Sequence, residues 1–184
     1  MGVKDAVAKM FFGQKEVLAD LLNFCLFDSN AVVTADNITL IEGGDYRVVQ
    51  GEDGRLKTNN RFRDLLARCD AVVEGVQWSY LVGLELQSRD DKNMIPRIME
   101  YDARRYRKQF ADFRLNGQEI FRVINIIMSF DRRKHNGKSS LSSYMPMAPI
   151  KLDGKFYDYG YINLNIYKLA EKLDGMHCKN SDIC

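Results

Sequence analysis

Hydrophobic residues in the first segment, Val7, Met10, Phe11, Val17, Leu18, Leu21, Leu22 and Cys25, recur at spacings close to i, i+3, i+4 and i+7. That period predicts an amphipathic helix, in which Gly13 marks a weak point or a break. Ile38-Thr39-Leu40-Ile41 reads as a first strand, ended by Gly43-Gly44. Tyr46 to Asn60 is polar and punctuated by glycine, the pattern of a short hairpin or of a loop. Arg61 to Ala67 and Leu81 to Ser88 read as two further strands with Glu74-Gly75 as a turn between them, which leaves Cys69 just past the first. A second helix is predicted from about Met94 to Leu115, with Pro96 in its first turn, where a missing N–H costs nothing. Its apolar face is Ile95, Ile98, Met99, Tyr106, Phe110 and Phe113, and Asn116-Gly117 closes it. Val123 to Met128 is a buried strand, Asp131 to Pro149 a surface loop, and Phe156 to Leu169 alternates enough to add one more strand.

Side chains alternate across a strand, so Glu85 and Gln87 project from one face of Leu81–Ser88 while Val82, Leu84 and Leu86 take the other. A carboxylate at a nearly buried strand end is costly unless it is paired, hydrogen-bonded or bound to a cation. A hairpin of this length can return Asp64 beside Glu85. Two converging carboxylates are the usual protein half of a magnesium site, because that hard cation prefers oxygen ligands. The same spacing also suits a plainer arrangement, in which Glu85 is a solvated edge residue and Asp64 pairs with Arg61 or Arg63.

The run Arg63-Asp64-Leu65-Leu66, the strand Tyr80 to Ser88, and then Asp91, Met94, Pro96-Arg97 and Tyr101 follow one another in a definite order. With Lys4 to Phe12 before them and Phe121 to Asp131 after, they resemble the core of the Rpn/YhgA-like recombination-promoting nucleases. These are transposase-like proteins within the PD-(D/E)XK nuclease superfamily, and the likeness runs from about residue 4 to about residue 169. The resemblance implies an α/β fold with a restriction-endonuclease-like αβββαβ core, a mixed central sheet flanked by helices, and a C-terminal strand extension. It implies one domain over residues 1–184, with the core at about 4–131 and the extension at about 132–184. By the same resemblance, Asp64 and Glu85 bind Mg²⁺ (or Mn²⁺) with the main-chain carbonyl of Leu86, and Gln87 orients the attacking water. The implied activity is endonucleolytic hydrolysis of DNA phosphodiester bonds with low sequence specificity. The chain departs from the superfamily by having Gln87 in place of lysine, although Gln is common in this branch, and it departs from the branch by having Leu86 where histidine is frequent. Members also commonly extend further at the C-terminus.

Gln87 cannot supply the positive charge of a lysine, so more of the stabilisation must come from the metal or another cation. Arg97 follows the site by about one loop, and its planar fork suits phosphate oxygens. Its plainer role is a surface arginine paired with Asp91 or Glu100. Tyr101, one turn on, either steadies Arg97 or a carboxylate or is a half-buried core tyrosine. Asp5 and Glu16 are further acidic candidates on the first helix, or ordinary helix-surface charges. Arg97, Tyr101, Arg104 and Lys108 form a stripe at spacings of four, three and four, and Arg104, Arg105, Arg107 and Lys108 concentrate four cations in five positions. A second basic cluster is Arg132, Arg133, Lys134 and Lys138. Facing the site, both would contact phosphates without reading sequence; otherwise they are solvated faces.

Composition limits the alternatives. The 46% apolar content is that of a soluble globular protein, and a net charge of +2 does not by itself announce a nucleic-acid partner. No apolar run reaches the roughly 20 residues of a membrane span and no secretion signal opens the chain, so a cytoplasmic protein is expected. Cys25 and Cys69 read as small core residues, while Cys178, Cys184 and His177 have no fourth zinc ligand nearby. With His135 the only other histidine, histidine-centred catalysis is poorly supported, and a metal-bound hydroxide is the expected base. Cutting both DNA strands favours a homodimer. The competing reading is a catalytically weak nuclease-like fold that acts as a nucleic-acid- or protein-binding or inhibitory module.

Overall fold

The computed structural model describes residues 3–41, 47–50, 56–59, 64–87, 91–130, 139–144, 159–167 and 170, with the backbone alone at 3–6, 47–50 and 56–59. The elements in chain order are α1 (Val3–Phe12), α2 (Lys15–Leu26), β1 (Ile38–Leu40), β2 (Arg47–Gln50), β3 (Leu56–Asn59), β4 (Leu65–Val73), β5 (Val76–Gln87), α3 (Met94–Asn116), β6 (Arg122–Ser129) and β7 (Ile162–Asn165). Five strands form one mixed sheet in the order β1-β4-β5-β6-β7, and β2 and β3 form a separate antiparallel hairpin. β1, β4 and β5 are an antiparallel meander, whereas β6 and β7 run parallel to β5. A parallel pair needs a crossover connection, and α3 supplies it between β5 and β6.

Local chemistry explains most of these boundaries. The turn between β4 and β5 has Glu74 at φ 52° and Gly75 at φ 79°, the two left-handed residues that match a two-residue turn to the twist of its strands. Gly117, at φ 67°, ends α3 and donates its N–H to the carbonyl of Phe113 at 2.9 Å. The first amphipathic segment is not one helix but two, broken at Gly13-Gln14. The break changes which residues are buried. Phe12, Leu18, Leu21 and Leu22 enter the core, while Val7, Met10 and Phe11 are exposed.

Both sheet faces are covered. On one, α2 packs Leu18 and Leu22 against Ile38, Ala67, Val82, Leu84, Ile126 and Met128. On the other, α3 packs Met94, Ile95 and Ile98 against Ile127. The expected apolar face of α3 holds only in its first half. Phe110 and Phe113 are half exposed, while Asp102 and Gln109 are buried in their stead.

Those buried polar residues meet β6. The Gln109 side-chain amide donates to the Phe121 carbonyl at 3.1 Å and its oxygen accepts the Phe121 N–H at 2.7 Å. The Val123 N–H donates to the Tyr106 hydroxyl at 3.0 Å, and Asn125 donates through Nδ2 to Asp102 at 2.9 Å. β7 pairs with β6 only over Ile126–Ser129, so among the described residues the earlier part of that edge has no strand neighbour. Side chains of α3 satisfy backbone groups there that burial would otherwise leave without partners.

Other expectations need adjustment. Cys69 lies within β4, not past it, and is buried. Of the strand expected at Phe156 to Leu169, the structure holds Ile162–Asn165, and residues 151–158 lie outside the described part. No described helix is long and apolar enough to cross a membrane.

Gly13 has no room for a side chain: a Cβ built there would lie 2.8 Å from the Lys9 carbonyl oxygen. Gly13→Ala should therefore loosen the end of α1 and lower stability by about 1–3 kcal/mol, read as a drop in thermal midpoint by circular dichroism. An unchanged midpoint would mean the junction yields without strain.

Candidate functional site

Asp64 is not inside a strand as expected; it occupies a bend immediately before β4. Residues Arg61 and Arg63, its alternative partners, lie outside the described part. The ladder pairs Leu65 with Leu84, and continuing it by one residue sets Asp64 opposite Glu85. The Asp64 carboxylate does two things there. Oδ2 accepts the Leu86 N–H at 2.8 Å, and Oδ1 lies 2.6 Å from the ammonium of Lys9 on α1. Ladder N–H groups lie in the plane of a sheet, so the bond to Leu86 holds this carboxylate at the end of the sheet, between its two faces.

Glu85 is not the solvated edge residue of the plainer reading. It is 4% exposed on the face that α3 covers, and its Oε2 lies 3.0 Å from Arg97 Nη2. Arg97 bridges onward, with Nη1 2.7 Å from Asp91 Oδ2 and Nη2 3.5 Å from the Tyr101 hydroxyl. Tyr101 is buried. Gln87, two residues along the same face, is also buried, and its amide nitrogen makes only a weak contact with the Met94 sulfur at 4.0 Å. The site therefore brings together Asp64, Glu85, Leu86, Gln87, Arg97 and Tyr101.

Burial alone would lower the affinity of Arg97 for its proton, but hydrogen bonds to Asp91 and Tyr101 and the charge of Glu85 reverse that and raise it above the usual range. Asp91 is the counterpart. Burial pushes its carboxyl up, and the bond from Arg97, the N–H of Asn93 and the Arg97 charge together outweigh this and hold it below the ordinary 3.8.

The basic stripe does not act as one surface. Arg97 is engaged by two carboxylates, and Arg104 pairs with Glu100 one turn back. Arg105 is half buried and lines a cavity of about 220 Å³ with Arg68, Gln109, Asp112, Glu119 and Phe121. Only Arg107 and Lys108 of that cluster are exposed. Glu16 is exposed in the first turn of α2. The Asp5 side chain, the cluster Arg132, Arg133, Lys134 and Lys138, and His135, His177, Cys178 and Cys184 lie outside the described part. Burial pushes the thiol of Cys25 up to about 12, and burial together with Asp70 pushes that of Cys69 up to about 11, which makes both poor nucleophiles.

The sequence reading missed the contact made by Lys9 and the polar roles of Asp102, Tyr106 and Gln109. Lys9 fell on a helix read for its apolar period, and nothing local ties it to a residue 55 positions later. Asp102, Tyr106 and Gln109 did carry a signal, polar groups at i, i+4 and i+7. That is the spacing of a helix face meeting something polar.

No family model, curated protein or solved structure matches this chain. The chemistry of the site therefore rests on its own residues. Among the described residues no group of three or more His, Cys, Asp or Glu side chains is arranged around a common point for a metal. The donors at the sheet end are instead Asp64, Glu85 and the main chain of Leu86, all hard oxygens of the kind Mg²⁺ prefers. N–H and C=O of one strand residue leave on the same side, so the Leu86 carbonyl projects toward the side from which Asp64 approaches.

Asp91, with its carboxyl held low, adds stability that is present above the unfolded carboxylate value and lost as pH falls through the folded one. The difference in unfolding free energy between parent and Asp91→Asn should be complete above about pH 4 and shrink below it. Urea melts from pH 7 down to pH 3 would show this, and a pH-independent difference would remove the Arg97–Asp91 pair as its cause.

Proposed function

We propose that the chain is a Mg²⁺-dependent endonuclease that hydrolyses DNA phosphodiester bonds with little sequence preference. The observation that carries the reading is the buried Glu85 at the end of a central strand, with Asp64 set opposite it by the β4–β5 register. The order of elements supports it. A helical N-terminal segment, an antiparallel meander of three strands, a crossover helix and a parallel strand are compatible with the αβββαβ order implied by the resemblance to the Rpn/YhgA-like nucleases, once the β2–β3 hairpin after the first meander strand is set aside.

Mg²⁺, when bound, polarises the phosphate and lowers the pKa of a bound water. The protein's part is positioning. Asp64 is steered by the Leu86 N–H, and Glu85 is fixed by Arg97, itself clamped by Asp91 and flanked by Tyr101. Arg97 thus orients a ligand carboxylate more than it offers a surface charge to DNA. Exposed Arg107 and Lys108 remain for phosphate contacts along α3.

One observation favours the rival reading, a binding or inhibitory module without catalysis. Lys9 and Arg97 each neutralise one of the two carboxylates, so the site is electrically satisfied without a metal. Titration with Mn²⁺ separates the two, since a binding module has no use for the ion.

Glu85→Gln should abolish nicking of supercoiled plasmid in Mg²⁺ and weaken Mn²⁺ uptake. It should not stabilise the fold by relieving repulsion, because Glu85 already meets Arg97; loss of a charged hydrogen bond should cost about 1–3 kcal/mol. A Glu85→Gln protein that cuts like the parent would place the activity elsewhere.

The double substitution Arg107→Ala and Lys108→Ala should weaken binding to all DNA sequences alike and flatten the slope of log affinity against log salt by about 2. An unchanged slope in fluorescence anisotropy would make this part of α3 a solvated face only.

A further inference from the structure

Lys9 stands in the last turn of α1, with Nζ 2.6 Å from Asp64 Oδ1 and a side chain 29% exposed. An ion pair this open to solvent stabilises a fold by only about 0–1 kcal/mol, so stability is a weak reason for the arrangement. Its position says more. Among the described residues, two cations reach the Asp64–Glu85 end of the sheet. Arg97 is locked by two carboxylates, Glu85 and Asp91, and its planar fork has little freedom to leave both. Lys9 meets one carboxylate, whose other oxygen is already held by the Leu86 N–H, through one of the three N–H donors an ammonium carries. Its four-carbon stem is flexible. On the face of Glu85 the next outward side chain is Gln87, which is uncharged and buried.

We propose that Lys9 is the exchangeable cation of this site. In the metal-free protein it holds Asp64. It yields that carboxylate to a divalent cation, and its ammonium then faces a non-bridging oxygen of the phosphate under attack, supplying from α1 the positive charge that Gln87 cannot. The proposal rests on the nuclease reading. It carries an opposite signature for two measurements, because an ammonium that competes with the metal weakens metal binding while its charge on the phosphate speeds cleavage. A merely structural pair would give no such opposition.

The test compares the parent with Lys9→Met, Lys9→Arg and Glu85→Gln by calorimetric titration with Mn²⁺ alone and by plasmid nicking in Mg²⁺, with circular dichroism to establish folding. Lys9→Met keeps the length of the side chain and removes its charge. It should bind Mn²⁺ about 3- to 10-fold more tightly, the scale of an exposed ion pair, and nick about 10²-fold more slowly, the scale of one lost transition-state donor. Lys9→Arg should stay within a few-fold of the parent in nicking. A Lys9→Met protein that binds Mn²⁺ no more tightly than the parent, or nicks as fast, overturns the proposal while the nuclease reading stands. A parent that takes up no Mn²⁺ and cannot be told from Glu85→Gln overturns both.

Discussion

A helix held on a sheet by apolar contacts alone can shift by a fraction of a turn, since dispersion is non-directional and methyl groups re-seat. Hydrogen bonds are directional, and α3 makes a row of them. Gln109, Tyr106 and Asp102 descend the helix about one turn apart, while their partners at Phe121, Val123 and Asn125 step two residues at a time from the lead-in to β6 into the strand. Every rung requires the same alignment, so slipping the helix breaks all of them at once inside a region where lost polar partners are costly. Arg97 sits on the same rigid helix. The row of rungs, set far from the carboxylates, is what fixes the guanidinium over Glu85.

Charge at the sheet end follows from that alignment. Glu85 is buried, and a buried carboxylate persists as an ion only beside a cation. Arg97 provides it, and Asp91 in turn keeps the half-buried arginine satisfied. Asp64 receives its cation from another helix altogether, α1, whose direction depends on the break at Gly13. Each carboxylate thus takes its cation from a different helix.

Much of this was legible from the chain. The tight turn at Glu74-Gly75, the strand carrying Glu85 and Gln87, the α3 boundaries and the buried strand before Asp131 all followed from period and turn chemistry. What failed was the choice of face. Period alone identifies apolar stripes but not which stripe meets the sheet, and so Val7, Met10, Phe11, Phe110 and Phe113 were expected inside and lie partly or largely outside. Polar residues were misjudged for the complementary reason. Gln109 is buried against the backbone of Phe121 just before β6, and Asp102 against the Asn125 side chain within it, partners set by the tertiary structure that no local window contains. The candidate site shows the same limit: its carboxylates could be named from one strand and one hairpin, but the Lys9 contact spans 55 residues and Arg97 acquired its role only once α3 was laid down.

β5 is the best-tethered element of the sheet. Val76 to Leu84 pair with β4 and Tyr80 to Gln87 with β6, so its backbone is held from both sides over Tyr80–Leu84. Strands of this kind exchange their amide hydrogens only when the whole domain opens. Glu85 follows directly on that doubly paired stretch and is itself paired to β6, whereas Asp64 hangs from a bend that belongs to no strand. The two carboxylates therefore sit on backbones of unequal constraint, and a change in their separation falls to the Asp64 side.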